Sequence, residues 1–294
     1  MIWTEWSDIK IPIGLEALST NGIAPYESDL EKVTFFVPKY MAGRAGLLPM
    51  AKMPNLKVVQ LNSAGYDDAL PLLPSGVTLC NARGVHDTST AELAVALAIG
   101  SRRGFADFFR NQSTGTWVHE TRTSLADSRI GIVGYGSIGK LLEQMLQPFS
   151  VETFAFSKSG SSGSIKIDEF DTYLPTLDIV ILIMPLTDEN HHFINAKRLA
   201  AMKAGSVLIN VARGAIVDTD ALVAELQRGR IYAGLDVTDP EPLPVGHALW
   251  SAPNVLITPH IGGDSTAFEP RGRKLVEEQL ERHARNIPLI NVVA

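Results

Sequence analysis

A single cysteine, Cys80, in 294 residues excludes an intramolecular disulfide and with it the small disulfide-built secreted scaffolds. Charge of one sign is also scarce. The 26 Lys and Arg against 32 Asp and Glu give a net charge of -6 with no dense basic run, so nucleic acid and anionic membranes are not the expected partners. No apolar run reaches the ~18 residues that span a bilayer, and no repeat recurs at a solenoid period. The opening residues, Met1-Ile2-Trp3-Thr4-Glu5, lack the basic and apolar regions of a secretion signal, which points to the cytoplasm. The histidines other than His260, namely His86, His119, the pair His191-His192, His247 and His283, show no metal-ligand spacing, so no metal is expected. What remains is an ordinary globular composition, 45% hydrophobic and 20% charged, long enough for two domains and suited to a small-molecule function.

The chain is organised around one stretch. Ile130 to Val133 is a short apolar β-type run, Gly134-Tyr135-Gly136-Ser137-Ile138-Gly139 follows at once, and Leu141, Leu142, Met145 and Leu146 then recur at helical spacing. Strand, tight turn and helix in that order form a dinucleotide-binding unit. The first glycine allows the turn, the second lets backbone approach a pyrophosphate, and the third lets helix and strand pack closely. The phosphates sit at the positive end of the helix. Three glycines merely making a turn are the plain reading of the same residues, and the strand and helix on either side argue against it.

Apolar runs at Val33 to Val37, Leu56 to Leu61 and Val77 to Cys80 predict strands of a small α/β domain before this stretch. Asn62-Ser63-Ala64-Gly65-Tyr66-Asp67 follows the second of them, where the amides of Ala64 and Gly65 either hold an anion or simply form a loop that needs glycine. Thr88-Ser89-Thr90-Ala91-Glu92 opens a strongly apolar helix that ends near Gly100 to Gly104, and a domain boundary is expected inside it, near Ala98. Phe108-Phe109 and Trp117 read as packing or subunit contacts. Beyond the glycine stretch, Val151 to Phe156, Ile179 to Met184, Val207 to Val211, Ile231 to Leu235 and Val255 to Ile257 predict strands. Helices are expected at Ala196 to Met202 and Asp220 to Arg228. That alternation implies a doubly wound parallel sheet, an α/β Rossmann domain.

Polar groups after these strands carry the chemistry. Ser157-Lys158-Ser159 stands where an NAD site usually has an acid for the ribose hydroxyls, and no acid is present. Hydroxyls and a lysine suit a 2′-phosphate, which predicts NADP preference with NAD possible; a solvated loop charge at Lys158 is the other reading. Arg213, Asp236 with Glu241, and His260 follow three strands and should face one crevice. Arg213 can orient an anionic substrate and polarise its carbonyl, and His260 can deliver a proton near neutrality. Glu241 beside it would favour the imidazolium.

At this point the chain resembles the D-isomer-specific 2-hydroxyacid dehydrogenases. The resemblance lies in Gly134 to Gly139, Pro185-Leu186-Thr187, Asn210-Val211-Ala212-Arg213-Gly214, Leu235-Asp236-Val237 with Glu241-Pro242, and Thr258-Pro259-His260-Ile261-Gly262-Gly263. Ser63 to Asp67 and Thr90-Ala91-Glu92 also match, and the first sixty or so residues carry little of it. It implies that Arg213 holds the substrate carboxylate and carbonyl, His260 is the acid/base, Glu241 pairs with it, and Asp236 holds the nicotinamide amide. Ser137 and Ile138 would contact the pyrophosphate, with Pro185, Val211, Ala212, Gly262 and Gly263 completing the cofactor site, and Ala64 and Gly65 would help bind the substrate. The implied fold joins the Rossmann domain, residues 98–264, to a smaller flavodoxin-like substrate domain made of residues 1–97 and 265–294, with a last helix from about Pro270 to Arg285. A homodimer through the cofactor domain is also implied. The expected reaction is hydride transfer between NADP(H) and a small 2-keto acid such as glyoxylate or hydroxypyruvate. A dinucleotide-sensing, corepressor-like protein on the same fold is the alternative, and the intact Arg, Glu and His set argues against it. Ser137 stands where the family often has Arg. Arg44, in the region of weakest resemblance, either binds a second anionic group of the substrate or is a solvated loop charge.

Overall fold

A computed structural model describes residues 1–18 and 25–294. It divides into two compact units, Met1–His86 with Thr266–Ala294, and Asp87–Ser265. The sequence places the boundary near Ala98, whereas the structure places it before Asp87. The reason is packing: the helix Asp87–Arg103 buries Ala91, Ala94, Leu97 and Ala98 against Ile130, Ile132, Ile179, Ile181, Val207 and Ile209, so its whole length belongs with the second unit.

In the first unit, β1 (Ile2–Trp3), β2 (Ala17–Leu18), β3 (Phe35–Phe36), β4 (Val58–Gln60) and β5 (Thr78–Cys80) form a five-stranded sheet in the order β2-β1-β3-β4-β5, parallel throughout. The last three lie inside the predicted apolar runs. The first two are two residues long, too short to show a period. The closing helix runs over Phe268–Ala284, starting just before the predicted Pro270, which keeps its place in the first turn, where a missing N–H costs nothing. Its Phe268, Leu275, Val276 and Leu280 pack on Ile2, Phe35, Val37 and Val58, at roughly 1.5–3 kcal/mol for each fully buried large side chain. Cys80 lies fully buried in the same core, and burial pushes its thiol up to about 11.

In the second unit, β6 (Arg129–Val133), β7 (Glu152–Ser157), β8 (Ile165–Lys166), β9 (Ile179–Leu182), β10 (Val207–Asn210), β11 (Tyr232–Leu235) and β12 (Val255–Ile257) form a seven-stranded sheet in the order β12-β11-β10-β9-β6-β7-β8. Every pairing is parallel. Ile179 to Leu182 are buried throughout, as an unbroken apolar strand covered on both faces must be. One face carries the core that includes Phe156, Phe170, Leu182 and Leu208; the other is covered by the helix Asp87–Arg103. The chain winds outward from β6 in one direction and from β9 in the other, so the switch point where ligands bind lies at the carboxyl ends of β6 and β9. Sequence reading does not anticipate the helix Phe105–Ser113, which restarts after Gly104 turns the chain at φ +71°. Among the described residues no helix is long and apolar enough to cross a membrane.

His283, on the closing helix, packs edge-on to Phe35 with ring centroids 5.3 Å apart. Burial lowers its pKa, with the charges of Lys57 and the N-terminal amine adding to the effect. The unfolded chain therefore binds this proton more readily, so folding stability is lost as pH falls below the unfolded value of about 6.5. Urea unfolding between pH 7 and pH 5 should show a smaller loss of stability in His283→Gln than in the wild type; equal losses would contradict this assignment.

Candidate active site

The glycine turn has the geometry its three residues require. Gly134 adopts φ +110°, and a Cβ there would lie 2.7 Å from the backbone of Ile183 and Met184. A Cβ on Gly139 would lie 2.2 Å from the carbonyl oxygen of Gly134, so strand and helix meet only because it is absent. Gly136 differs: among the described residues, nothing beyond its two chain neighbours lies within 4 Å of a Cβ built on it. It caps the helix Ser137–Leu146 and leaves open space at the positive end of that helix, where an anionic group would be favoured. Ser137 is exposed and Ile138 half-buried at the first turn. These residues fit a dinucleotide.

At the end of β7 the side chains are less free than the sequence suggests. Ser157 bonds Ser164 at 2.7 Å and accepts the Gly160 N–H at 3.1 Å, so its hydroxyl closes the 157–164 loop. Ser159 bonds Ser161 at 2.7 Å. Lys158 is 82% exposed and pairs with Glu189 at 2.5 Å, and that pairing holds the Glu189 carboxyl below its usual range. Glu189 escapes sequence reading because 31 residues separate it from Lys158. Pro185, on the loop after β9, accepts a bond from Asn190 at 2.7 Å.

Arg213 follows β10, whose last residue, Asn210, is 1% exposed. The Asn210 side chain accepts the Ala212 N–H at 3.1 Å and donates to the Arg213 carbonyl at 2.9 Å. This polar break in an apolar strand therefore builds the turn that presents Arg213. Val211 and Ala212 are buried within that turn. Gly214 is obligatory there, since a Cβ would stand 2.0 Å from the Thr238 carbonyl oxygen. Close approach thus locks the Arg213 turn to the segment carrying Glu241.

Asp236 directly follows β11 and is 2% exposed. Its Oδ1 accepts Thr258 Oγ1 at 2.6 Å and the Ile261 N–H at 2.9 Å, and its Oδ2 accepts the Gly262 N–H at 2.8 Å. Its own carbonyl takes the His260 N–H at 2.7 Å. The family resemblance assigns Asp236 to the nicotinamide amide; here most of its acceptor capacity goes to the loop around His260. Thr90 adds a bond to the Gly262 carbonyl at 3.2 Å, and Gly263 follows on the same loop.

His260 itself is at φ +55°, a left-handed conformation that costs roughly 1 kcal/mol or more for a residue with a Cβ. Its Nδ1 lies 2.5 Å from Glu241 Oε1. Burial opposes ionisation of Glu241, but the His260 hydrogen bond and charge, the Arg213 charge and the Thr238 amide outweigh it and hold the carboxyl below its usual range. An ionised Glu241 can only accept, so Nδ1 donates and Nε2 remains for chemistry. The fold brings Arg213, Glu241 and His260 into one electrostatic cluster at the ends of β10, β11 and β12.

Ala64 and Gly65 lie in the other unit, after β4. The Ala64 carbonyl accepts Asn81 Nδ2 at 2.8 Å and the Gly65 carbonyl accepts the Ser63 hydroxyl at 2.7 Å. Among the described residues no acceptor takes the N–H of either. Arg44 is exposed.

A family model described as D-isomer specific 2-hydroxyacid dehydrogenase, NAD binding domain, matches residues 95–262. Glyoxylate/hydroxypyruvate reductase B of Citrobacter koseri is 35% identical over 227 residues, 72% of this chain and 70% of the reductase. Glyoxylate reductase of Thermofilum pendens is 35% identical over 253 residues, 81% of this chain and 73% of that protein. A crystal structure of a D-isomer specific 2-hydroxyacid dehydrogenase from Xanthobacter autotrophicus, in complex with NADPH and MES, superposes with a TM-score of 0.79 at 27% identity, covering 100% of this chain and 98% of that one.

Replacing Asp236 by Ala should cost on the order of 3 kcal/mol of folding stability, because it strands three donors that now share a buried carboxylate. Urea unfolding of Asp236→Ala measures this, and a loss under about 0.5 kcal/mol would show that the loop holds without it.

Proposed function

Because the chain belongs to the D-isomer specific 2-hydroxyacid dehydrogenase family, and is thus an NAD(P)-dependent oxidoreductase, we propose that it reduces a small 2-keto acid of glyoxylate or hydroxypyruvate size to the D-2-hydroxy acid, with NADP(H) preferred. The observation that carries this reading is the 2.5 Å contact of His260 with Glu241 in the field of Arg213. A protein that only senses a dinucleotide has no use for such an acid/base pair.

Arg213 takes the substrate carboxylate and carbonyl oxygen in its planar fork. As the carbonyl carbon is reduced its oxygen gains negative charge, and His260 Nε2–H supplies the proton that neutralises it. Glu241 accepts the Nδ1–H throughout, fixing the ring and its tautomer. A reduced nicotinamide dinucleotide held at Gly134, Gly136, Ser137, Ile138 and Gly139 supplies the hydride. Val211, Ala212, Pro185, Asp236, Gly262 and Gly263 are proposed to line the cofactor site. Ala64 and Gly65 are proposed donors to the substrate carboxylate, supported by their uncommitted N–H groups.

For the cofactor, exposed Lys158 with Ser159 supports a 2′-phosphate site, in which the phosphate displaces Glu189 from the lysine. The relatives named for glyoxylate and hydroxypyruvate reduction support the substrate class. Phe109 and Trp117, 59% and 96% exposed, support a homodimer through the Asp87–Ser265 unit; sedimentation velocity giving the mass of one chain would contradict it.

Arg213→Ala should lower kcat/KM for the keto acid by about 10²–10⁴-fold, the range seen when an electrostatic or proton-donating group is lost. Unchanged turnover would refute the assignment. Lys158→Ala should raise KM for NADPH about tenfold and leave that for NADH unchanged, since one charge-assisted contact is at stake, while Glu189→Gln should lower KM for NADPH. Equal effects on both cofactors would place Lys158 outside the phosphate site.

A further inference from the structure

The histidine pair His191-His192 has no metal-ligand spacing in sequence, but the fold brings a third group to it. A ring nitrogen of each and a carboxylate oxygen of Asp239 all lie within 4.8 Å of one another. We propose that these three side chains form a binding site for a divalent transition-metal ion of the Zn²⁺ or Ni²⁺ class, separate from the Arg213, Glu241 and His260 cluster.

Several observations support it. The donor set, two imidazoles and one carboxylate, suits Zn²⁺, Ni²⁺ or Co²⁺ better than the all-oxygen preference of Mg²⁺ or Ca²⁺. Donors on one tetrahedral ion stand about 3.3 Å apart at metal–ligand bonds of about 2.0–2.1 Å, so binding an ion requires the two rings to turn out of their stack until their in-plane lone pairs converge. Next, the three groups are close without bonding one another: no side-chain hydrogen bond or ion pair joins them among the described residues, whereas His260 and Glu241, just along the chain, meet at 2.5 Å. Their lone pairs stay available to a ligand.

The backbone is also arranged at a cost to set the rings together. His191 (φ -56°, ψ 128°) and His192 (φ +51°) are the central residues of a turn closed by the Phe193 N–H on the Asn190 carbonyl at 3.0 Å. The second of these positions favours glycine, yet it holds a histidine, and the two rings stack with centroids 3.9 Å apart. Finally, the frame is rigid. The His192 N–H bonds the Ala215 carbonyl at 2.8 Å, Ile194 bridges Val217, Gly214 presses on the Thr238 carbonyl and the Asp239 amide, and Thr219 Oγ1 bonds the Asp239 carbonyl at 2.8 Å. Three chain segments far apart in sequence thus hold the donors, and an ion among them would tie the 190–194 turn to the segment that leads into Glu241. Three protein ligands leave coordination positions for water, as in open sites.

The test is isothermal titration of ZnCl₂ into the untagged, chelator-treated full chain, with Co²⁺ visible absorption as an independent readout of the ligand set. The expected result is one ion per chain, a rise in unfolding midpoint with Zn²⁺, and a loss of affinity of at least tenfold in both His192→Asn and Asp239→Asn. Asn tolerates the left-handed backbone of His192, so that variant keeps the turn and removes only the imidazole. His191→Gln, on an exposed side chain, should weaken binding in the same way without altering the circular dichroism spectrum. Absence of stoichiometric binding, or binding that survives all three substitutions in folded protein, would overturn the proposal. Because the readout is metal binding and stability rather than turnover, its failure would leave the dehydrogenase reading untouched.

Discussion

A buried carboxylate at the end of β11 is the constraint on which the rest of the site depends. Asp236 cannot be left 2% exposed without partners, since an unpaired buried charge costs several kcal/mol. It finds them in Thr258 and in the N–H groups of Ile261 and Gly262. Satisfying Asp236 therefore shapes the 258–262 loop, forces His260 into a left-handed backbone, and turns its ring toward Glu241. The free energy that makes this arrangement possible comes from the apolar strands beneath it, above all β9 and β10, which are buried throughout and hold the strand ends in register.

The same logic of close approach joins the Arg213 turn to the Glu241 segment. Gly214 has no room for a side chain against Thr238, and Asn210 satisfies the carbonyl and amide of the turn itself. The relative placement of cation, carboxylate and imidazole thus rests on backbone contacts rather than on the flexible side chains alone. In the other direction, Glu241 stays ionised despite its partial burial because His260 and Arg213 outweigh the cost; ionisation of the carboxylate in turn dictates which nitrogen of His260 carries chemistry.

Much of this was legible in the sequence where the signal is local. Apolar runs located β9, β10 and β12, with Asn210 the one polar break in the second of them, and the spacing of Gly134, Gly136 and Gly139 announced the turn because each glycine answers a separate steric demand. Two-residue strands such as β1, β2 and β8 left no trace, since two residues are too few to show a period. Ala98 looked like a boundary because it sits inside one helix, yet burial of that whole helix on the larger sheet moved the division to Asp87. The pairing of Lys158 with Glu189, the load carried by Asp236 and the approach of Asp239 to His191 and His192 are all contacts between residues remote in sequence, which composition and spacing do not encode.

The central claim is that this cluster orients a small 2-keto acid and protonates its carbonyl oxygen, with the hydride to be supplied by NADPH as the favoured donor. It is tested most directly by absorbance loss at the nicotinamide band of the purified wild-type chain, with NADPH and NADH in parallel and glyoxylate, hydroxypyruvate, pyruvate and phenylpyruvate as substrates. Turnover fastest with NADPH and with the two smallest hydroxylated or unsubstituted acids is the result expected. Turnover with NADH alone would contradict the reading of Ser157 to Ser159, and no turnover with any acid and either cofactor would contradict the claim itself.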